Sequence, residues 1–162
     1  MYTSKIFAVA AAALLLTGCE KATMQGSSHY KVPTEEVQLK WQGAPHNNWK
    51  VRLNGGGEQN PKDAKTTLPQ GAELTMFVVD IADNQNATFK NPGGLSVWEG
   101  QNAKLSPQPG INSTQIIGPF VTNKGKTLVF FDRNQGNKVT LNYALHFNNG
   151  IPTVDPIIEN NP

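Results

Sequence analysis

Cysteine, histidine and the carboxylates are the side chains that could do chemistry, and the first two are scarce: one cysteine, Cys19, and three histidines, His29, His46 and His146. No two histidines stand at i, i+2 or i, i+4, and no second thiol accompanies Cys19. The spacing that builds zinc or copper sites is therefore absent, and neither metal nor cofactor is expected. There is no Gly-x-Ser-x-Gly elbow and no His-Glu-x-x-His run. Asp80, Asp132 and Asp155 could meet His46 or His146 only through the fold, which leaves an envelope enzyme as the least favoured class. Gly55, Gly56 and Gly57 lead into Glu58, whose charge repels a phosphate where a cradle needs a lysine. Gly125-Lys126-Thr127 ends like a phosphate-binding loop, but Phe120 stands where its first glycine belongs and a strand-like run follows.

Cys19 gains meaning from what precedes it. Lys5 is the only charge before it, and residues 6–16 form an unbroken apolar run of eleven. That is a leader's charged start and apolar stretch, too short for the ~20 residues that cross a bilayer. The sequence Leu16-Thr17-Gly18-Cys19 resembles the lipobox of bacterial lipoproteins. The resemblance implies cleavage between Gly18 and Cys19, diacylation of the Cys19 thiol and acylation of the new amino terminus. Two or three acyl chains anchor stably where one does not. Glu20 stands where such lipoproteins carry Asp for inner-membrane retention, so the resemblance favours the periplasmic face of the outer membrane. The expected organisation is a signal peptide over residues 1–18, a lipidated anchor and polar tether over 19–34, and a domain over 35–162.

Lysine plus arginine total 14 against 12 acids, and removal of residues 1–18 takes away only Lys5, leaving a balance of +1. A near-neutral chain lacks the basic stripe that supplies most nucleic-acid affinity, so no nucleic-acid partner is expected. With its one cysteine spent on lipid, the domain has no disulfide and depends on its core.

Short apolar runs punctuated by Gly, Pro and Asn give the texture of an all-β domain. Val37, Leu39 and Trp41 alternate with polar residues, as do Trp49, Val51 and Leu53, and predict two half-buried strands. Residues 73–82 are the most apolar run and predict a central strand buried on both faces, with Asp80 needing a hydrogen-bonding partner near the strand end. Leu95 to Trp98 predicts a short strand. Residues 114–121 predict a strand bent at Gly118-Pro119, and Leu128 to Phe131 another. Val139, Leu141, Tyr143, Leu145 and Phe147 alternate with Thr140, Asn142, Ala144 and His146, which predicts a strand whose second series faces water. The tail, residues 149–162, is expected to pack as an edge segment.

About seven strands of this kind favour an antiparallel β-sandwich, immunoglobulin-like or cupredoxin-like, over a small closed barrel. The pattern Tyr143-x-Leu145-x-Phe147 followed by Asp155-Pro156-x-Ile158 is similar to the close of small bacterial immunoglobulin-like domains of unknown role, and it transfers no function. Residues 54–71 show no strand or helix period and are expected to form a long recognition loop. Asn54, Gly55, Gly56, Gly57 and Glu58 are its candidate binding residues, with Trp98 and Gln101 beside them. The expected function is a lipid-anchored envelope module that contacts another envelope protein by loops or an open sheet edge. The alternative is glycan or peptidoglycan binding, which needs an exposed face on Trp41, Trp49 or Trp98.

Overall fold

The computed structural model describes residues 32–43, 48–68, 74–82, 86–100, 110–134 and 138–160. The first two alternating runs pair as their periodicity requires. β1 (Thr34–Trp41) and β2 (Trp49–Leu53) run antiparallel, with Val37 opposite Leu53, Leu39 opposite Val51 and Trp41 opposite Trp49. All six side chains fall on one side because successive residues of a strand alternate. There follow β3 (Lys65–Leu68), β4 (Thr75–Ile81), β5 (Leu95–Glu99), β6 (Ile111–Asn112), β7 (Ile116–Thr122), β8 (Thr127–Asp132), β9 (Val139–Leu145) and β10 (Ile157–Asn160). These form two five-stranded sheets, β2-β1-β4-β8-β7 (sheet A) and β3-β10-β9-β5-β6 (sheet B).

The protein is an all-β sandwich. Leu39, Phe77, Val79, Leu128 and Phe130 of sheet A meet Leu95, Val97, Leu141, Tyr143, Leu145 and Ile158 of sheet B in one core. Phe77 stacks on Phe130 at 4.8 Å, and Phe130 reaches across to Tyr143 at 5.7 Å. Burial of the Tyr143 phenol, with Glu35 nearby, pushes its pKa above the ordinary value. Both sheets are mixed: β1 with β4, β3 with β10 and β5 with β6 are parallel, and the other pairs are antiparallel. The chain passes repeatedly from one sheet to the other, so strands distant in sequence become neighbours without a hairpin to impose antiparallel order.

Several expectations are corrected. Residues 54–68 are not one loop: a turn at Asn54-Gly55, a bridge between Gln59 and Val51, a 3-10 turn (Pro61–Asp63) and β3 divide them. Thr66 and Leu68 are buried and Lys65 and Thr67 exposed, a period of two too short to register in the sequence. β4 is central but covered on one face only; Thr75, Phe77, Val79 and Ile81 point inward, while Met76 and Val78 are half-buried and Asp80 is exposed. The Asp80 carboxylate accepts a hydrogen bond from the Thr127 hydroxyl at 2.5 Å. The tail does pack, but β10 lies between β9 and β3, inside sheet B. Finally, the second face of β9 is drier than its pattern predicts: Asn142 and Ala144 are buried, and Thr140 and His146 are half-buried.

The strand predicted to bend at Gly118-Pro119 does so through a bulge. Ile117 opposes Phe131 and Phe120 opposes Val129, so Gly118 and Pro119 together face Phe130. Gly118 has φ +114, and a Cβ there would lie 3.3 Å from the Phe130 Cα and the Val129 carbonyl oxygen. Only glycine fits both conditions. The extra residue keeps Ile117 and Phe120 on one face despite their odd spacing.

Candidate functional site

The outward side of sheet A carries a grid of large apolar side chains. Strand register places Met76, Phe131 and Ile117 in one row across β4, β8 and β7, and Val78, Val129 and Phe120 in the next. None points into the core. Phe120 is 56% exposed and Ile117 36%, and the other four are half-buried. An isolated exposed Leu or Ile needs no explanation, whereas six contiguous apolar side chains on an outward face make this the candidate interaction surface. The grid ends at β7, beyond which no described strand continues the sheet.

A polar rim bounds this grid. The next row is Gln38, Asp80, Thr127 and Thr122, and on β1 Thr34 and Glu36 flank Met76 and Val78. Farther out, Glu58 lies 3.3 Å from the Lys40 ammonium and 3.7 Å from the Arg52 guanidinium. These pairs are solvent-exposed and contribute at most about 1 kcal/mol each, so they serve orientation more than stability. An apolar centre with a charged, water-accessible rim is the usual anatomy of a protein-binding surface.

Of the binding residues predicted from the sequence, Asn54 is committed to the scaffold. At φ +46, its side-chain oxygen accepts from the Glu36 N–H at 2.8 Å and its amide donates to the Glu35 carboxylate at 2.6 Å. This fixes the end of the β1–β2 hairpin. Gly55, Gly56 and Gly57 are exposed in the turn that follows, and the Gly56 N–H donates to the Leu53 carbonyl. Glu58 belongs to the rim. Trp98 is only 6% exposed, on the outward side of sheet B, with its indole N–H buried and unpaired. Gly18, Cys19, His29, His46 and Gln101 lie outside the described residues. The grid itself was missed, although alternating Met76 and Val78 within a run that also holds Asp80 was a signal that β4 has an open side.

A second cluster occupies the outward side of sheet B. His146 follows β9, and its Nε2 lies 2.8 Å from the Ser96 hydroxyl on β5, while its Nδ1 lies 3.4 Å from the Thr153 hydroxyl. Asp155 lies near enough to interact with the imidazole, although desolvation raises its pKa on balance. A serine, a histidine and an aspartate together invite comparison with a nucleophilic triad. Two features oppose that chemistry. Ser96 is 3% exposed, out of reach of a substrate, and a threonine hydroxyl rather than a carboxylate faces Nδ1. The cluster ties β5, β9 and the tail together. Among the described residues no three His, Cys, Asp or Glu side chains gather closely enough to hold a metal ion.

Desolvation, and secondarily Lys90, hold the His146 pKa below its ordinary value, against a smaller upward pull from Asp155. A depressed histidine pKa means that the folded state favours the neutral ring. Its stabilising contribution is present above the unfolded value of about 6.5 and is lost as pH falls from there toward the folded value. Asp155 is shifted upward, chiefly by desolvation, so at lower pH it takes up a proton more readily in the folded state and offsets part of the loss. Urea midpoints of the wild-type chain should therefore fall between pH 7.5 and 5.5 more steeply than those of His146→Gln. Parallel curves would remove His146 from the account.

The chain matches no protein-family model and no curated protein. Function therefore has to be argued from the two outward faces. Sheet B presents a polar cluster whose only serine is inaccessible, whereas sheet A presents an open apolar surface. The tryptophans also bear on the choice: Trp49 and Trp98 are buried, and Trp41 is half-buried with its ring 5.2 Å from Trp49. Trp49 and Trp98 therefore lack the exposed stacking face that glycan binding by these residues requires, and Trp41 is only partly accessible.

Proposed function

We propose that this protein is a lipid-anchored module of the bacterial cell envelope that binds another envelope protein, with the outward face of sheet A as its binding surface. The lipobox at Leu16-Thr17-Gly18-Cys19 supports the anchor, and Glu20 favours the periplasmic face of the outer membrane. The observation that carries the binding role is the two-row grid of Met76, Phe131, Ile117, Val78, Val129 and Phe120, apolar and open to solvent. The protein has no catalytic role in this reading.

Ile117→Lys tests it. Ile117 is on the edge strand and 36% exposed, so a lysine can reach water and the fold should be kept, with melting unchanged within about 2 °C. A charge desolvated within the apolar part of a protein contact is costly, so co-isolation of the partner from gently solubilised envelopes should drop at least tenfold. Thr67→Lys, an exposed position on β3, is the control and should retain the partner. Equal recovery from both variants would refute the assignment of this face.

A further inference from the structure

We propose that Asn149 is a site of spontaneous deamidation, and that the fold protects the other Asn-Gly pair of the chain, Asn54-Gly55, from the same reaction. This is independent of the binding role and of the anchor.

Asn-Gly is the dipeptide most open to this chemistry, because glycine carries no side chain to hinder attack by its backbone nitrogen on the asparagine carboxamide. The chain holds two such pairs, Asn54-Gly55 and Asn149-Gly150. At the second, the Gly150 nitrogen attacks Cγ of Asn149. The N–Cγ bond forms, the Cγ–Nδ2 bond breaks, and ammonia leaves with the proton of the Gly150 amide. Water then opens the succinimide ring, giving aspartate by attack at Cγ or isoaspartate by attack at the Asn149 main-chain carbonyl carbon. One water is consumed for each ammonia released, and no oxidant or cofactor takes part.

The two pairs share a backbone and an exposure. Asn54 and Gly55 have φ +46 and +72, and Asn149 and Gly150 have φ +62 and +67. Two successive positive φ values are what a type I′ turn requires, and Asn-Gly is its preferred pair. All four residues are exposed. Neither φ nor access to water therefore distinguishes the two sites.

Restraint of the carboxamide does. The Asn54 oxygen accepts from the Glu36 N–H at 2.8 Å, its amide donates to the Glu35 carboxylate at 2.6 Å, and the Gly56 N–H closes the turn on the Leu53 carbonyl at 2.8 Å. Ring closure needs the turn and the carboxamide to rotate until Cγ meets the glycine nitrogen, and at Asn54 that means giving up two hydrogen bonds, one of them to a charge. Asn149 has little to give up. Its amide lies 3.5 Å from the Asn86 carbonyl, beyond the ~2.7–3.2 Å of a well-formed bond, and its side-chain oxygen has no partner among the described residues. The bond closing its turn, from the Ile151 N–H to the Asn148 carbonyl, is 3.4 Å long. Asn148 is tied to Thr88 and Phe89, so the base of the turn is held while its tip is free to convert.

The test incubates the folded full chain in mildly alkaline buffer and follows both pairs by peptide mass spectrometry, reading the mass change of amide to acid. Conversion at Asn149 is expected to be at least about tenfold faster than at Asn54, the effect of the two hydrogen bonds. An acid-shifted species should appear on isoelectric focusing with the same time course, as the net charge falls from +2 to +1. In urea that unfolds the chain, the two rates should converge. Glu35→Ala removes one of the Asn54 partners and should speed conversion at Asn54 at least about threefold, while Asn149 in the same molecules keeps its rate and serves as the clock. Equal rates in the folded chain, faster conversion at Asn54, no conversion at Asn149 or a difference that persists in urea would each overturn the proposal. An unaccelerated Asn54 in a Glu35→Ala chain that melts like wild type would overturn the protection by the clamp. If that variant does not fold, the ratio of the two wild-type rates, folded against unfolded, decides alone.

Discussion

Replacing Trp49 by alanine is expected to cost the domain about 3–5 kcal/mol, a large part of the ~5–15 kcal/mol that holds a typical domain together. Trp49 is 3% exposed and stacks on Phe147 at 4.5 Å, and Phe147 in turn packs on Phe89 at 5.2 Å. The ring thereby joins β2 to the segments that flank β5 and β9, across the two sheets. Its indole N–H also donates to the Pro152 carbonyl at 2.8 Å, so truncation opens a cavity and leaves an acceptor without its donor. Trp41→Ala should cost clearly less, because Trp41 is half-buried and packs on one side of Trp49. Trp49→Phe separates the terms by keeping much of the volume while losing the hydrogen bond, worth about 1 kcal/mol. Urea unfolding of a form lacking residues 1–19 measures all three. Equal losses for Trp41→Ala and Trp49→Ala would mean that the pair acts as one unit and that burial does not rank them.

Where an element's own side chains alternate over five or more residues, the sequence was sufficient. β1, β2 and β9 were legible down to which residues point inward, because Val37, Leu39, Val51, Leu141, Tyr143 and Leu145 each follow a polar neighbour or precede one. Where an element depends on partners far away in sequence, local pattern was silent. β3 has only Thr66 and Leu68 on its buried side and exists because β10, some ninety residues later, lies parallel beside it. β10 became an interior strand for the same reason. Mixed pairing was likewise invisible, since strand direction is set by crossovers that no residue type announces.

The site was harder to read than the fold, and for a physical reason. A face that docks a partner is apolar like a core face, so β4 looked like a strand buried on both sides. Burial in an absent partner and burial in the protein's own second layer leave the same mark on a sequence. Only the register across β4, β8 and β7 separates them, by placing Met76, Phe131 and Ile117 on the side of sheet A that faces away from sheet B. The opposite error occurred on β9, where Asn142 and Ala144 looked wet and are dry; the Asn142 amide donates to the Gly100 carbonyl at 2.5 Å. The Ser96–His146 contact joins residues fifty apart and had no local signal beyond the residue types themselves.

Cys19→Ala is expected to abolish acylation outright, with palmitate incorporation falling to background. The chain has no other cysteine to receive a thioester-linked chain, so the loss has no route of compensation. Anchoring should go with it. Each buried CH₂ contributes about 0.8 kcal/mol, which makes two or three acyl chains a hold that a few surface side chains cannot replace. No helix among the described residues is long and apolar enough to cross a membrane. Exported on an ordinary secretory leader with the same substitution, the chain should leave the membrane fraction. Palmitate retained by the alanine form would end the lipobox reading. Loss of label with undiminished membrane association would carry a different meaning: the exposed Phe120 and Ile117 and their neighbours would then hold the domain in place without lipid, and the face would be stronger than its size implies. Ile117→Lys in that background decides between those causes, since it removes association through the face and leaves any other hold untouched.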